Sequence, residues 1–245
     1  MQPAMNSIGM MQGHERGKEI VFLSAHLDSW DGATGATDNG TGTVLMMEVM
    51  RILKKVYPNP RRTIMVGHWA SEEQGLNGSG AFVEDHPEMM ERISVLFNQD
   101  NGTGRFNWIN GNGFIDAYDY FRRWMAYLPA TSRDEIKTDF PGSPGSRGGS
   151  DYASFLAAGV PAFFLISNSW NYGDYTWHTQ LDTYDKIVFE EMRRNAATLA
   201  ILVYLACEEP EMMSRNKALL PMDVKTGKRA DWIPATKPER KGESR

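Results

Sequence analysis

Histidines and carboxylates recur in this sequence in short polar segments that follow its apolar runs, directly or through a loop. His26 and Asp28 lie in Ser24-Ala25-His26-Leu27-Asp28-Ser29, and Asp38 lies in Gly35-Ala36-Thr37-Asp38-Asn39-Gly40. Glu72 and Glu73 lie in Ser71-Glu72-Glu73-Gln74-Gly75, Asp100 in Asn98-Gln99-Asp100-Asn101-Gly102, and His178 in Trp177-His178-Thr179. Gathered on one spot, so many acids would repel one another and hold protons at raised pKa. Divalent cations remove that conflict. Imidazole mixed with carboxylate favours Zn²⁺, whereas an all-oxygen set would favour Mg²⁺ or Ca²⁺. Two histidines shared among several carboxylates suit a pair of ions ~3.5–4 Å apart. Glu72 and Glu73 are adjacent, so their side chains diverge. One can ligate while the other faces a metal-activated water, and spacing alone does not say which. A ligating histidine needs a partner on its other ring nitrogen, and Asp28 is close enough in sequence to serve His26.

Apolar periodicity indicates what must position these groups. Glu19 to Ala25, Thr63 to Ala70, Ile93 to Asn98 and Pro161 to Ile166 read as buried strands. Thr41 to Val56 reads as a helix with Leu45, Val49, Ile52 and Val56 on one face, stopped by Pro58. Further helices are expected over Asn77 to Asp85, Tyr118 to Leu128 and Glu190 to Cys207, and from a Ser150 or Asp151 cap through Ala158. Pro141 to Gly149 reads as a loop too short for a domain linker. Strands alternating with helices imply an α/β fold: a largely parallel sheet covered on both faces. In such sheets ligands sit beyond the carboxyl ends of the strands, where the polar segments fall.

The chain has 245 residues, 41% hydrophobic and 23% charged, which excludes disordered, collagen-like and coiled-coil classes. Its net charge of -5 argues against a general nucleic-acid binder. Residues 214–245 hold nine Lys/Arg against four Asp/Glu and read as a basic, solvated, poorly structured extension of a body spanning 1–213. Cys207 is the single cysteine, so no internal disulfide forms. The longest apolar stretch, Ala196 to Cys207, falls short of the ~20 residues a bilayer span requires, so no membrane insertion is expected. Met1 to Ile20 lacks the layout of a signal peptide. No serine lies in a nucleophile-elbow pattern, and Gly148-Gly149 is too little for a phosphate loop.

His26-Leu27-Asp28-Ser29, Asp38-Asn39-Gly40, Glu72-Glu73-Gln74-Gly75, Asp100 and His178 resemble, in order, the two-zinc exopeptidases, a family that includes carboxypeptidase Q and bacterial leucyl aminopeptidases. The likeness covers roughly Ile20 to Cys207. It implies a three-layer α-β-α sandwich with a mostly parallel mixed sheet, of the phosphorylase/hydrolase-like kind. It implies two Zn²⁺ per chain: His26 and Asp100 on one, Glu73 and His178 on the other, Asp38 bridging them across a cis peptide to Asn39. Glu72 would be the general base and Asp28 would orient His26. The implied activity is metal-dependent hydrolysis of dipeptides or short peptides, with a secreted or periplasmic location and a homodimer as the expected assembly. Two other readings of the likeness are a catalytically silent scaffold of the transferrin-receptor-ectodomain kind and glutaminyl cyclisation. The family has a helix and a further strand before the region matching Ile20, and this chain is expected to start too late to contain them. Tyr152 stands where aminopeptidase relatives often have His, and Asn101 where Met is common.

His14, His68 and His86 are explained by a polar turn, strand packing and a helix end. The aromatic run Trp170, Tyr172, Tyr175 and Trp177 either packs a long loop or walls a substrate pocket.

Overall fold

The computed structural model describes residues 4–144 and 149–240, so part of the Pro141 to Gly149 loop, Gly148 included, and the last five residues of the basic extension lie outside it. The strands are β1 (Ser7–Met11), β2 (Arg16–His26), β3 (Arg62–Trp69), β4 (Ile93–Asn98), β5 (Phe106–Asn110), β6 (Lys137–Asp139) and β7 (Ala162–Ser167). They form one seven-stranded sheet in the order β1-β3-β2-β4-β7-β5-β6. The four central strands run parallel, β1 pairs antiparallel with β3, and β5 pairs antiparallel with β7 and parallel with β6. β3 and β4 are buried along their whole length, as parallel strands covered on both faces must be.

The helices are α1 (Thr41–Val56), α2 (Asn77–Asp85), α3 (Pro87–Met90), α4 (Ala117–Met125), α5 (Ala130–Arg133), α6 (Tyr152–Ala157) and α7 (Phe189–Glu208). Neighbouring residues of a strand point to opposite faces, which assigns the layers. Phe22 of β2 meets Phe82 of α2 and Phe155 of α6. Leu23 points the other way, and its register partner on β4, Phe97, meets Phe121 and Trp124 of α4. α4 in turn packs on α7, and α7 on α1. The result is a three-layer sandwich with α2 and α6 on one side and α1, α4 and α7 on the other.

Some expectations change. A strand, β1, precedes the first expected one. The buried stripe of α1 is Leu45, Met46, Val49 and Leu53, while Val56, the last residue of the helix, is exposed. The extension beyond 213 is not wholly solvated: Trp232 donates its indole N–H to the Leu156 carbonyl at 2.9 Å, its ring lies against Phe114, and Ile233 is buried. An indole whose N–H is bonded gains by leaving water. No helix among the described residues is long and apolar enough to cross a membrane.

Candidate metal centre

β2 lies between β3, which follows it, and β4, which comes next in the chain, so the strand order reverses at β2. That reversal opens a crevice beyond the carboxyl ends of the strands. His26 is the last residue of β2. Glu72 and Glu73 follow β3, Asp100 follows β4, and His178 lies in the loop after β7. Asp38 sits in the turn Ala36–Gly40 that connects β2 to α1.

These side chains converge. His26 Nε2 is 3.0 Å from Asp100 Oδ1 and 3.4 Å from Asp38 Oδ1. His178 Nε2 is 3.0 Å from Glu73 Oε2 and 3.5 Å from Asp38 Oδ2. Asp38 therefore turns one oxygen to each imidazole. His26, Asp38 and Asp100 offer ligand atoms all within 4.8 Å of one another, and so do Asp38, Glu73 and His178. Glu72 forms a third such group with His26 and Glu73 but belongs to neither group that contains Asp38. His26 Nδ1 faces the Asp28 carbonyl oxygen at 3.0 Å, closer than the Asp28 carboxylate at 3.6 Å. A proton kept on Nδ1 by that carbonyl would leave the Nε2 lone pair for an ion in the cluster. The Asp28 carboxylate instead accepts the backbone N–H groups of Glu72 and Glu73, each at 3.1 Å. It fixes the turn that carries both glutamates.

Local contacts hold Asp38 in place. The buried Asp182 carboxylate accepts the Thr37 N–H at 2.7 Å, the Thr37 hydroxyl at 2.8 Å and the Asp38 N–H at 2.9 Å. The Asp38–Asn39 peptide is cis. Asn39 donates to the Gln99 carbonyl at 2.9 Å and accepts the Gly42 N–H at 3.0 Å, which ties the turn to the strand end before Asp100. A Cβ on Gly42 would lie 2.2 Å from Asn39 Oδ1 and 2.5 Å from the Gln99 carbonyl oxygen, so only glycine fits there. Asp182 and Gly42 carry no sequence signal as site residues; Asp182 shows only its place four residues after His178. Asp182→Ala is expected to destabilise the protein by about 3 kcal/mol, because it orphans two buried N–H groups, while the Thr37 hydroxyl keeps its bond to the Thr176 hydroxyl. Urea unfolding at unchanged m-value measures this loss.

The electrostatics call for positive charge. Burial alone would lower the pKa of His26, but the Asp100 charge and hydrogen bonds to Asp100, Asp28 and Asp38 outweigh it and hold the ring protonated far above its ordinary range. Burial, then Asp100 and Asp151, push Glu72 up to about 10. Burial, then Asp38, push Glu73 up to about 7. Burial also raises Asp38, with Asp100 adding to it against the two imidazoles. Burial opposes ionisation of Asp28 too, but the His26 hydrogen bond and the two backbone N–H groups lower it overall. Asp38 Oδ2 and Glu73 Oε1 are buried without a hydrogen-bond partner. Unsatisfied carboxylate oxygens are costly unless a cation meets them, so the residues present fit metal ions. Asp151 differs from the expected helix cap. It is fully buried, makes no side-chain cap and leaves both oxygens unpartnered, and burial first raises it to about 7.

Aromatic rings flank the cluster. The His178 ring lies 4.2 Å from the Trp177 ring and 5.0 Å from that of Trp30, centroid to centroid. His68 is packed inside β3 and His86 lies against Phe82, away from the cluster.

The model of peptidase family M28 matches residues 6–203. Carboxypeptidase Q of Rattus norvegicus is 27% identical over 213 residues, covering 87% of this chain and 43% of the relative. A peptidase M28 precursor from Shewanella amazonensis superposes with a TM-score of 0.75 at 30% identity, covering 85% of this chain and 46% of that one. A zinc aminopeptidase from Bacillus subtilis superposes with a TM-score of 0.67 at 25% identity, covering 87% and 52%. The chain thus spans less than half the length of the carboxypeptidase Q relatives that it matches.

Proposed function

The chain belongs to peptidase family M28, and from that premise we propose that it is a zinc-dependent exopeptidase that hydrolyses dipeptides or short peptides. The observation that carries the reading is Asp38, whose two oxygens face two different imidazole–carboxylate groups. His26 and Asp100 would hold one Zn²⁺ and Glu73 and His178 the other, with Asp38 shared. The mixed imidazole and carboxylate donors suit zinc better than Mg²⁺ or Ca²⁺, and the likeness to a zinc aminopeptidase supports that choice. Bound zinc would supply Lewis acidity, polarising the scissile carbonyl and acidifying a water.

Glu72 stands beside the two groups that share Asp38 and takes the role of base. It removes the proton from the attacking water and returns it to the leaving amine. The Asp28 carboxylate keeps Glu72 and Glu73 in this arrangement through their amides, while its carbonyl sets the His26 tautomer. The tilted rings of Trp30 and Trp177 lie against that of His178.

A panel of free dipeptides and of blocked and unblocked longer peptides tests the proposal. Zinc-loaded protein is expected to release single residues or dipeptides and to stop on chelation. Loss of ammonia from an N-terminal Gln peptide, without chain cleavage, would mark a cyclase instead. A folded, zinc-bound protein inert toward the whole panel would mark a silent scaffold.

A further inference from the structure

The turn between β3 and α2 carries Glu72 and Glu73, and its backbone is held in an unfavourable shape. Ser71 and Leu76, at its two ends, are both left-handed, with φ of 58° and 60°. Residues other than glycine are strained there, and such a turn persists only where its surroundings hold it. Asp28, Asn6 and Asn77 do so. The Asp28 carboxylate takes the Glu72 and Glu73 amides. Asn6 accepts the Ala70 N–H at 3.1 Å and donates to the Gly78 carbonyl at 2.9 Å, which ties the residue after β3 to the first turn of α2. Asn77, the first residue of α2, donates its backbone N–H to the Ser71 carbonyl at 3.0 Å and its side-chain N–H₂ to the Gln74 carbonyl at 3.1 Å.

The Asn77 side chain is itself set by the C-terminal extension. Its Oδ1 accepts the backbone N–H of Glu239 at 2.7 Å. With the oxygen so engaged, the N–H₂ end of the amide is the one turned to Gln74. The extension reaches this point along a series of specific contacts. The Arg215 guanidinium donates to the carbonyls of Gly159, Met90 and Ile93, and Trp232 donates to Leu156 in α6. Thr236 lies on Gly80 of α2, where a Cβ would fall 3.3 Å from the Thr236 methyl. Arg240 pairs with Glu84 at 2.7 Å and Asp85 at 2.9 Å. Those acids sit in the last turn of α2, where the helix dipole favours a cation. The residues that match the family end at 203, so the whole extension lies beyond them.

Resting on the exopeptidase reading, we propose that the C-terminal extension is a strap that braces the glutamate turn, with Asn77 the positioning residue through which it acts. The strap holds Glu72 at its angle to the attacking water. A base acts in the transition state rather than in substrate binding, so a loosened turn lowers kcat and leaves KM nearly unchanged. Loss of one hydrogen bond that holds a turn raises the population of its open form by up to about tenfold.

Glu239→Pro removes the backbone N–H that Asn77 accepts. Glu239→Ala keeps it, so the pair separates that bond from the Glu239 side chain. On the zinc-loaded full chain, Glu239→Pro is expected to show a kcat on short peptides about three- to tenfold below that of Glu239→Ala, with KM within about twofold. Hydrogen exchange read by mass spectrometry is expected to be up to about tenfold faster over residues 71–77 in Glu239→Pro and unchanged in β4. Asn77→Ala, compared with wild type, should act in the same way and replaces the proline variant if that does not fold. Equal kcat or equal exchange of the turn in Glu239→Pro and Glu239→Ala, or faster exchange that spreads into β4, overturns the strap. If none of these proteins cleaves a peptide while the exchange difference stays confined to the turn, the exopeptidase reading fails and the brace stands.

Discussion

Glu72→Gln is expected to keep its zinc and its melting temperature while losing about 10²–10⁴-fold in kcat on short peptides. Gln has the size and much of the hydrogen-bonding capacity of Glu, so the turn held by Asp28 should persist. It cannot accept a proton. Glu72 lies outside both groups that contain Asp38, so ion binding should survive. Glu73→Gln is the mirror experiment. Glu73 Oε2 is 3.0 Å from His178 Nε2, and its weakening should show first as lost metal. If Glu72→Gln loses zinc while Glu73→Gln keeps it, the two glutamates have been assigned the wrong way round. Full activity in Glu72→Gln would remove it as the base.

Asp38→Asn is the second large effect. Changes in groups one step removed from a metal commonly cost 10–100-fold in affinity, and a shared ligand should cost more. An amide retains one acceptor oxygen and turns an N–H₂ towards the other imidazole, so it cannot serve both groups. The substitution is expected to weaken binding of both ions by more than about 100-fold and to abolish activity. The fold should hold, because Asp182 grips the backbone of Thr37 and Asp38 rather than the Asp38 carboxylate. Zinc at 1,000 times its Kd stabilises a protein by ~4.1 kcal/mol through mass action. Wild type should therefore melt at a higher temperature with zinc, and Asp38→Asn should shift much less at the same zinc concentration. An equal zinc-induced shift in both proteins would refute a bridging role.

The central strands were legible because each is a near-continuous apolar run: Ile20 to Ala25, Thr63 to Trp69 and Ile93 to Asn98 are buried almost throughout. Helix α2 and helix α1 were legible from periodicity and from the proline that follows each. The edge strands were not. β1 has exposed Ile8 and Met10 and buries only Met11, so it follows neither a helical nor an alternating pattern. β5 changes register between Phe106 and Trp108, which breaks its alternation. β6 is three exposed residues that pair with β5 and bury no apolar side chain.

The same divide runs through the centre. Residues that present their own chemistry, such as His26, Asp38 and the glutamate pair, declare themselves by type and by position behind a strand. Residues that act on the backbone of others do not. Asp182 grips two amides 145 and 144 residues upstream, and Gly42 matters for the side chain it lacks. Asp28 looked like a simple partner for a ring nitrogen. Its carboxylate is also spent on the amides after β3, a contact that only the parallel pairing of β2 with β3 creates.

Anomalous scattering at the zinc edge, recorded on crystals grown with zinc, is the most direct test of the central claim. The account predicts two peaks about 3.5–4 Å apart, one touching His26 and Asp100, the other Glu73 and His178, with an oxygen of Asp38 on each. A single peak, peaks away from Asp38, or no ordered zinc at these side chains would contradict it.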